Sequence, residues 1–192
     1  MGKRSSVIRT LRDVAFDCSG GEHPDLALMG REIGRIIHSR SDELNAALGS
    51  LKDRRRGFER WLVAERARPG ISVLVMAWPA NYATPVHDHG GLWGLEAAIS
   101  GALEVESYEH DPVDHSLRSQ GRTWLGPGDA TWFEDSETHT HRCRNLSRQE
   151  TALTLHVYGG DLAQYLAYEQ PGPSSHWIAR PRHSEIAGRL TA

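Results

Sequence analysis

The chain has 192 residues, 39% hydrophobic and 24% charged, which suits one folded domain with a full core and excludes a disordered or fibrous protein. Its formal net charge of −3 argues against nucleic acid as an obligatory partner, and no apolar run approaches the roughly 20 residues that cross a bilayer, so no membrane partner is expected. The start, MGKRSSVIRTLRDVAFD, is basic but lacks an apolar stretch, so no signal peptide is expected. Cys18 and Cys143 match no zinc or redox spacing, and a cytoplasmic enzyme or binding domain fits best.

Residues 1–70 read as a helical segment, 71–170 as a barrel and 171–192 as a C-terminal extension, all within one domain. Leu26, Met29, Ile33, Ile36 and Ile37 recur at helical spacing after a start at Pro24-Asp25. Ser41 or Asp42 is expected to cap a second helix through Leu44, Ala47, Leu48 and Leu51. A third is expected from about Arg54 to Arg66, ending before Pro69-Gly70, and the basic run Lys52–Arg56 reads as a solvated helix face. From Ile71 the pattern changes to short β-branched or aromatic runs: ISVLVMAW, TPVHDH, LWGLEAAIS, LEVESYEH, RTWL, ATWFED, THTHRCRN and TALTLHVYGG. Turns at WPAN, SGA, HDPVDH, GPGD and NLSRQ separate them, so the fold is expected to be mainly β, a double-sheet jelly-roll barrel with an N-terminal helical segment. The extension begins in turn chemistry and either wraps the barrel or stays loose.

His87 and His89 stand two apart in an expected strand and so share a face. Gly94 and Gly101 follow at the spacing of the first cupin motif, with Gly94 where that motif usually has a metal-binding glutamate. Pro127-Gly128-Asp129, His141 and Asn145 resemble the turn and H-x-x-x-N ending of the second. The inferred site is three neutral imidazoles, His87, His89 and His141, converging inside the barrel. Such a set accepts iron, zinc, copper or nickel and leaves coordination positions open. His139 shares a face with His141 and competes with it, although His141 holds the H-x-x-x-N position. Glu96 has the parity of Gly94 and is a further candidate ligand, two residues later than the motif requires. His110, His115, His176 and His183 read as ordinary surface or core residues.

Thr154, His156 and Tyr158 alternate in an expected strand, with Leu153, Leu155 and Val157 on the other face. A hydroxyl, an imidazole and a phenol at that spacing can form a hydrogen-bond relay, against the simpler reading of a strand with one wet face. Arg60, in GFERWL beside the barrel, has the side chain best suited to clamp a carboxylate, but among twenty arginines composition does not single it out.

Across roughly residues 20–170 the chain resembles the cysteine dioxygenase family of cupin-fold thiol dioxygenases, through FERWLV, PVHDHGGLWGL, HRCRN and TLHVY in that order. The resemblance implies one ferrous iron per chain on His87, His89 and His141, a substrate carboxylate on Arg60, and a relay on Thr154, His156 and Tyr158, with threonine in the place of the family's serine. It implies addition of both atoms of O2 to the sulfur of a small mercapto-carboxylate to give a sulfinate, with L-cysteine ahead of 3-mercaptopropionate and mercaptosuccinate. Animal members carry a cysteine at the Gly94 position, cross-linked to the relay tyrosine, and Ser-Pro after that tyrosine; here Gly94 forbids the cross-link, as in bacterial-type members, and Gly159-Gly160 follows Tyr158. Two other readings accompany this one: a different metal-dependent cupin enzyme with a carboxylate ligand such as Glu96, and a cupin that only binds a ligand.

Overall fold

A computed structural model describes residues 6–21, 23–53, 57–111, 113–114, 116–172 and 176–190. Helices α1 (Ser6–Cys18), α2 (Leu26–Ser39) and α3 (Ser41–Leu48), followed by a 3₁₀ turn at Gly49–Lys52, precede the strands. These are β1 (Glu59–Ala67), β2 (Gly70–Trp78), β3 (Val86–His87), β4 (Gly94–Ser100), β5 (Leu103–His110), β6 (Leu117–Leu125), β7 (Ala130–Phe133), β8 (His139–Asn145), β9 (Ala152–Tyr158), β10 (Gln164–Glu169), β11 (Ile178–His183) and β12 (Gly188–Arg189). They form two six-stranded sheets, ordered β12-β1-β2-β9-β4-β7 and β11-β10-β3-β8-β5-β6. The mainly β jelly roll with N-terminal helices is therefore the observed fold.

The first sheet is covered on both faces, which explains the unbroken hydrophobic run of β2. Val73, Val75 and Ala77 of β2, with Leu153, Leu155 and Val157 of β9, pack against Met29, Ile33 and Ile37 of α2. Leu74, Met76 and Trp78 turn the other way and meet Leu103, Val105, Leu125 and Cys143 of the opposite sheet inside the barrel. Each fully buried aliphatic side chain of this kind contributes about 1.5–3 kcal/mol. Asp25 caps α2 by accepting from the Leu28 amide at 2.9 Å. Gly34 lets α2 approach the barrel closely, because a Cβ there would stand 2.3 Å from the Gly128 carbonyl oxygen, in a turn where Gly128 itself has φ +91°.

Three expectations need correction. Residues 59–67 form strand β1, not a helix, paired antiparallel with β2. Leu62 faces the barrel and Val63 the helices, as strand alternation requires, but a register shift between Leu62 and Ala64 then breaks the alternation, so that Val63 and Ala64 both pack toward the helices. Neither Ser41 nor Asp42 caps α3: the N-cap is Arg40, without a side-chain cap bond, because α2 runs almost directly into α3. RTWL is the end of the longer β6. Arg54–Arg56 of the basic run, and Pro112 and His115 of the HDPVDH turn, lie outside the described residues.

The C-terminal extension wraps the barrel. β11 pairs with β10 at the edge of one sheet and β12 runs parallel to β1 at the edge of the other. Between them residues 184–187 cross from sheet to sheet, with the Ala187 amide donating to the Arg60 carbonyl at 2.8 Å.

Candidate metal centre and its relay

A cavity of about 400 Å³ opens inside the barrel, with Arg60, His87, Glu96, His141, His156 and Tyr158 among its walls and residues 183–187 at its mouth. His87 on β3 stands directly opposite His141 on β8. Their ring centroids are 4.8 Å apart, and that of His89, in the loop after β3, lies 5.1 Å from His87 and 4.5 Å from His141. One ring nitrogen from each of the three lies within 4.8 Å of those of the others. The Pro85 carbonyl accepts from His87 Nδ1 at 3.1 Å, which leaves Nε2 as the free lone pair. Asp88, between the ligand candidates, fixes their loop: its Oδ1 accepts from the amides of Leu166 at 2.9 Å and Gly90 at 3.3 Å. His139 takes no part in the cluster; its ring stacks on Phe133 at 4.6 Å.

Burial pushes all three imidazoles below the ordinary histidine value, His89 and His141 strongly, so the rings are neutral. Both ring nitrogens of His89, Nε2 of His141 and Oε1 of Glu96 are buried without hydrogen-bond partners. Such groups cost free energy unless something satisfies them, and converging neutral imidazoles with open nitrogens fit a divalent transition metal.

His156 and Tyr158 line the cavity from β9, Thr154 stands on the same face of the strand, and all three are buried, so the wet-face reading of this strand fails. The Trp78 indole donates to Thr154 Oγ1 at 2.7 Å. Thr154 Oγ1 lies 2.8 Å from His156 Nε2, and His156 Nδ1 lies 3.0 Å from the Tyr158 hydroxyl. The indole takes one of the two lone pairs of Thr154 Oγ1, and His156 Nε2 is the second partner of that hydroxyl, with the donor set by the imidazole tautomer. In the tautomer with its proton on Nδ1, His156 donates to Tyr158 and leaves the phenolic proton to point into the cavity. Burial, with Glu96 nearby, pushes the Tyr158 phenol well above its ordinary value, so it stays a donor.

Arg60 is 8% exposed on β1, and its two terminal nitrogens both donate to the Leu162 carbonyl at 3.3 Å. Glu96 stands opposite His156 across β4 and β9, with Gly94 opposite Tyr158. At Gly94 there is no room for any side chain, since a Cβ would sit 2.3 Å from the Phe133 ring.

Several contributors are not apparent from sequence. Trp78 reads as one more core aromatic, and Phe133 as one of many strand residues. Asn145 clamps the β8–β9 turn by donating from Nδ2 to the carbonyls of Trp78 at 2.9 Å and Glu150 at 2.8 Å. His183 reads as surface yet borders the cavity mouth, whereas His176 is exposed and His110 packs against Tyr168. Gly159 and Gly160 pack beneath Trp93 and Leu92, where a Cβ on Gly159 would meet the indole at 2.4 Å.

Two sheets closed around buried imidazoles with open nitrogens define a cupin with a candidate metal site. Among solved structures the chain is similar to the cupin domain of Schizosaccharomyces pombe Cnp3, at 10% identity over 54% of this chain and 61% of that one, TM-score 0.42. It is also similar to oxalate oxidase in complex with the substrate analogue glycolate, at 15% identity over 55% and 52%, TM-score 0.43. The chain thus covers 61% and 52% of the lengths of these two proteins. Residues 50–171, well over half of the chain, match the family model of cysteine dioxygenase type I, and the chain belongs to that family.

Proposed function

We propose that the protein is an iron-dependent thiol dioxygenase acting on a small mercapto-carboxylate, with L-cysteine the first candidate and 3-mercaptopropionate and mercaptosuccinate next. The observation that carries this reading is the meeting, in one cavity, of the imidazoles of His87 and His141, the Tyr158 hydroxyl and the Arg60 guanidinium. His87, His89 and His141 would hold one Fe(II) per chain. When bound, iron supplies the redox chemistry with O2 and acidifies a thiol, which side chains cannot do.

The chain's own groups bind and orient. Arg60 takes the substrate carboxylate through its planar fork and directs the sulfur toward the imidazoles. Tyr158, held by His156, Thr154 and Trp78, donates a hydrogen bond to negative charge developing beside the sulfur. The balance is thiol plus O2 giving sulfinate plus one proton: the S–H and O–O bonds break, two S–O bonds form, and sulfur is oxidised as O2 is reduced. A cytoplasmic setting and a place in cysteine metabolism accord with this reading.

The test is oxygen uptake by the ferrous-loaded protein against a panel of thiols, with mass detection of products. Uptake with a mercapto-carboxylate and a product heavier by two oxygen atoms is expected. Bound iron with no uptake for any thiol overturns the proposal.

A further inference from the structure

Arg60 can clamp a carboxylate only if its guanidinium is held, and the bonds that hold it come from the far end of the chain. The fork rests on the Leu162 carbonyl, to which both terminal nitrogens donate at 3.3 Å. Its remaining N–H groups are left for a ligand. Leu162 lies in the loop between β9 and β10, so no ladder of strand hydrogen bonds fixes its carbonyl.

Ser184 fixes it instead. Its hydroxyl donates to the Leu162 carbonyl at 2.5 Å, and its amide donates to the next carbonyl of the loop, that of Ala163, at 3.0 Å. Further along, the Ala187 amide donates to the carbonyl of Arg60 itself at 2.8 Å. The backbone of Arg60 and the acceptor under its guanidinium are therefore both bonded to the short crossing between β11 and β12. β12 continues the contact, pairing Gly188 with Trp61 and Arg189 with Leu62. Without this segment β1 would be the edge of its sheet, with the Arg60 carbonyl unpaired. Glu185 and Ile186, between the two contacts, are exposed and enter none of these bonds. A fork that must meet both oxygens of a carboxylate tolerates little error, and a misplacement of about 1 Å can cost about 100-fold.

We infer that Ser184 is a positioning residue for Arg60. Through the Leu162 carbonyl it sets the place and tilt of the guanidinium, so that β1 and the end of the chain build the substrate-carboxylate subsite together. This rests on reading Arg60 as the carboxylate clamp of the proposed dioxygenase.

The test uses the full-length, iron-loaded protein with 3-mercaptopropionate. Ser184→Ala is expected to raise KM about 5-fold, the loss of one ordinary hydrogen bond, with kcat within about 2-fold of the parent and metal content unchanged. Ser184→Thr, which keeps the hydroxyl donor, is expected to retain the parental KM. In an Arg60→Ala background, Ser184→Ala is expected to change KM by less than about 2-fold, because a residue that acts through Arg60 then has nothing to position. A parental KM in folded Ser184→Ala overturns the proposal. So does a rise of the same size that persists in the Arg60→Ala background, which would mean that Ser184 meets the substrate itself. If Ser184→Ala does not fold, Ser184→Cys takes its place, since a thiol is a weak donor: a raised KM supports the proposal and a parental one overturns it. If the parent oxidises no thiol, the function proposed above falls, and calorimetric binding of 3-mercaptopropionate decides this inference. Weaker binding by Ser184→Ala than by the parent and Ser184→Thr supports it, whereas equal binding, or none by the parent, overturns it.

Discussion

Replacing Gly94 by alanine tests whether the Phe133 ring occupies the space on which the site depends. Gly94 is not among the glycines with positive φ, so on backbone grounds alone alanine would stabilise the protein by about 0.4–1 kcal/mol through the unfolded chain. The added Cβ, however, would stand 2.3, 2.9 and 3.0 Å from three atoms of the Phe133 ring. That ring cannot slide freely, because it packs against His89 at 4.2 Å and His139 at 4.6 Å between centroids. Overpacking of a tight core costs about 1–3 kcal/mol, so the clash outweighs the entropy gain and leaves a net loss of about 1–2 kcal/mol. With a urea slope of about 2 kcal/mol/M the midpoint falls by about 0.5–1 M. Adding Phe133→Leu to Gly94→Ala is expected to recover part of the loss, giving a favourable coupling of about 0.5–3 kcal/mol in a double-mutant cycle. A Gly94→Ala protein as stable as the parent, or strictly additive effects in the cycle, would refute the reasoning.

Thr154→Val leaves the Trp78 indole and His156 Nε2 without their shared partner; stability is expected to fall by about 1–3 kcal/mol and turnover to drop with metal content unchanged, checked by urea unfolding, kinetics and metal analysis. Arg60→Ala is expected to raise KM for carboxylated thiols at least 10-fold, and an unchanged KM would move the carboxylate elsewhere. Tyr158→Phe is expected to lower kcat while the protein keeps its metal, and equal kcat would remove the phenol from the mechanism. The metal-free protein is expected to lose stability as pH falls below about 6.5, where the unfolded chain protonates its histidines while burial keeps His87, His89 and His141 neutral in the fold; equal urea midpoints at about pH 7.5 and 5.5 would contradict this.

Sequence legibility followed the kind of signal each element carries. The helices α2 and α3 and most barrel strands announce themselves through period and turn residues, which are local. β1 does not, because its bulge breaks the alternation and its arginine, leucine and alanine are good helix formers; pairing with β2 decides its state. The histidine pair and the alternating Thr154, His156 and Tyr158 are legible because strand parity states which side chains share a face. The roles of Trp78 and Phe133 are not, since each depends on a partner tens of residues away in the chain. Glu96 has the right parity in sequence, but only the three-dimensional structure brings its carboxylate to His141. The extension 171–192 lacks periodicity, and its placement follows from edge pairing with β10 and β1.

Residues 184–187, which line the cavity as they cross between the sheets, differ from its deeper walls in their freedom to change. Its floor consists of side chains such as Glu96, His141 and His156, each at most 1% exposed, where substitution disturbs packed neighbours on every side. The stretch of its rim at residues 183–187 lies beyond the matched span of residues 50–171 and includes Ile186, which is 43% exposed. Substitutions at so exposed a position usually change stability by about 0.5 kcal/mol or less. The rim can therefore vary in size and charge while the floor stays fixed, and a change in what the cavity admits would come from the chain's end, not from the centre of its barrel.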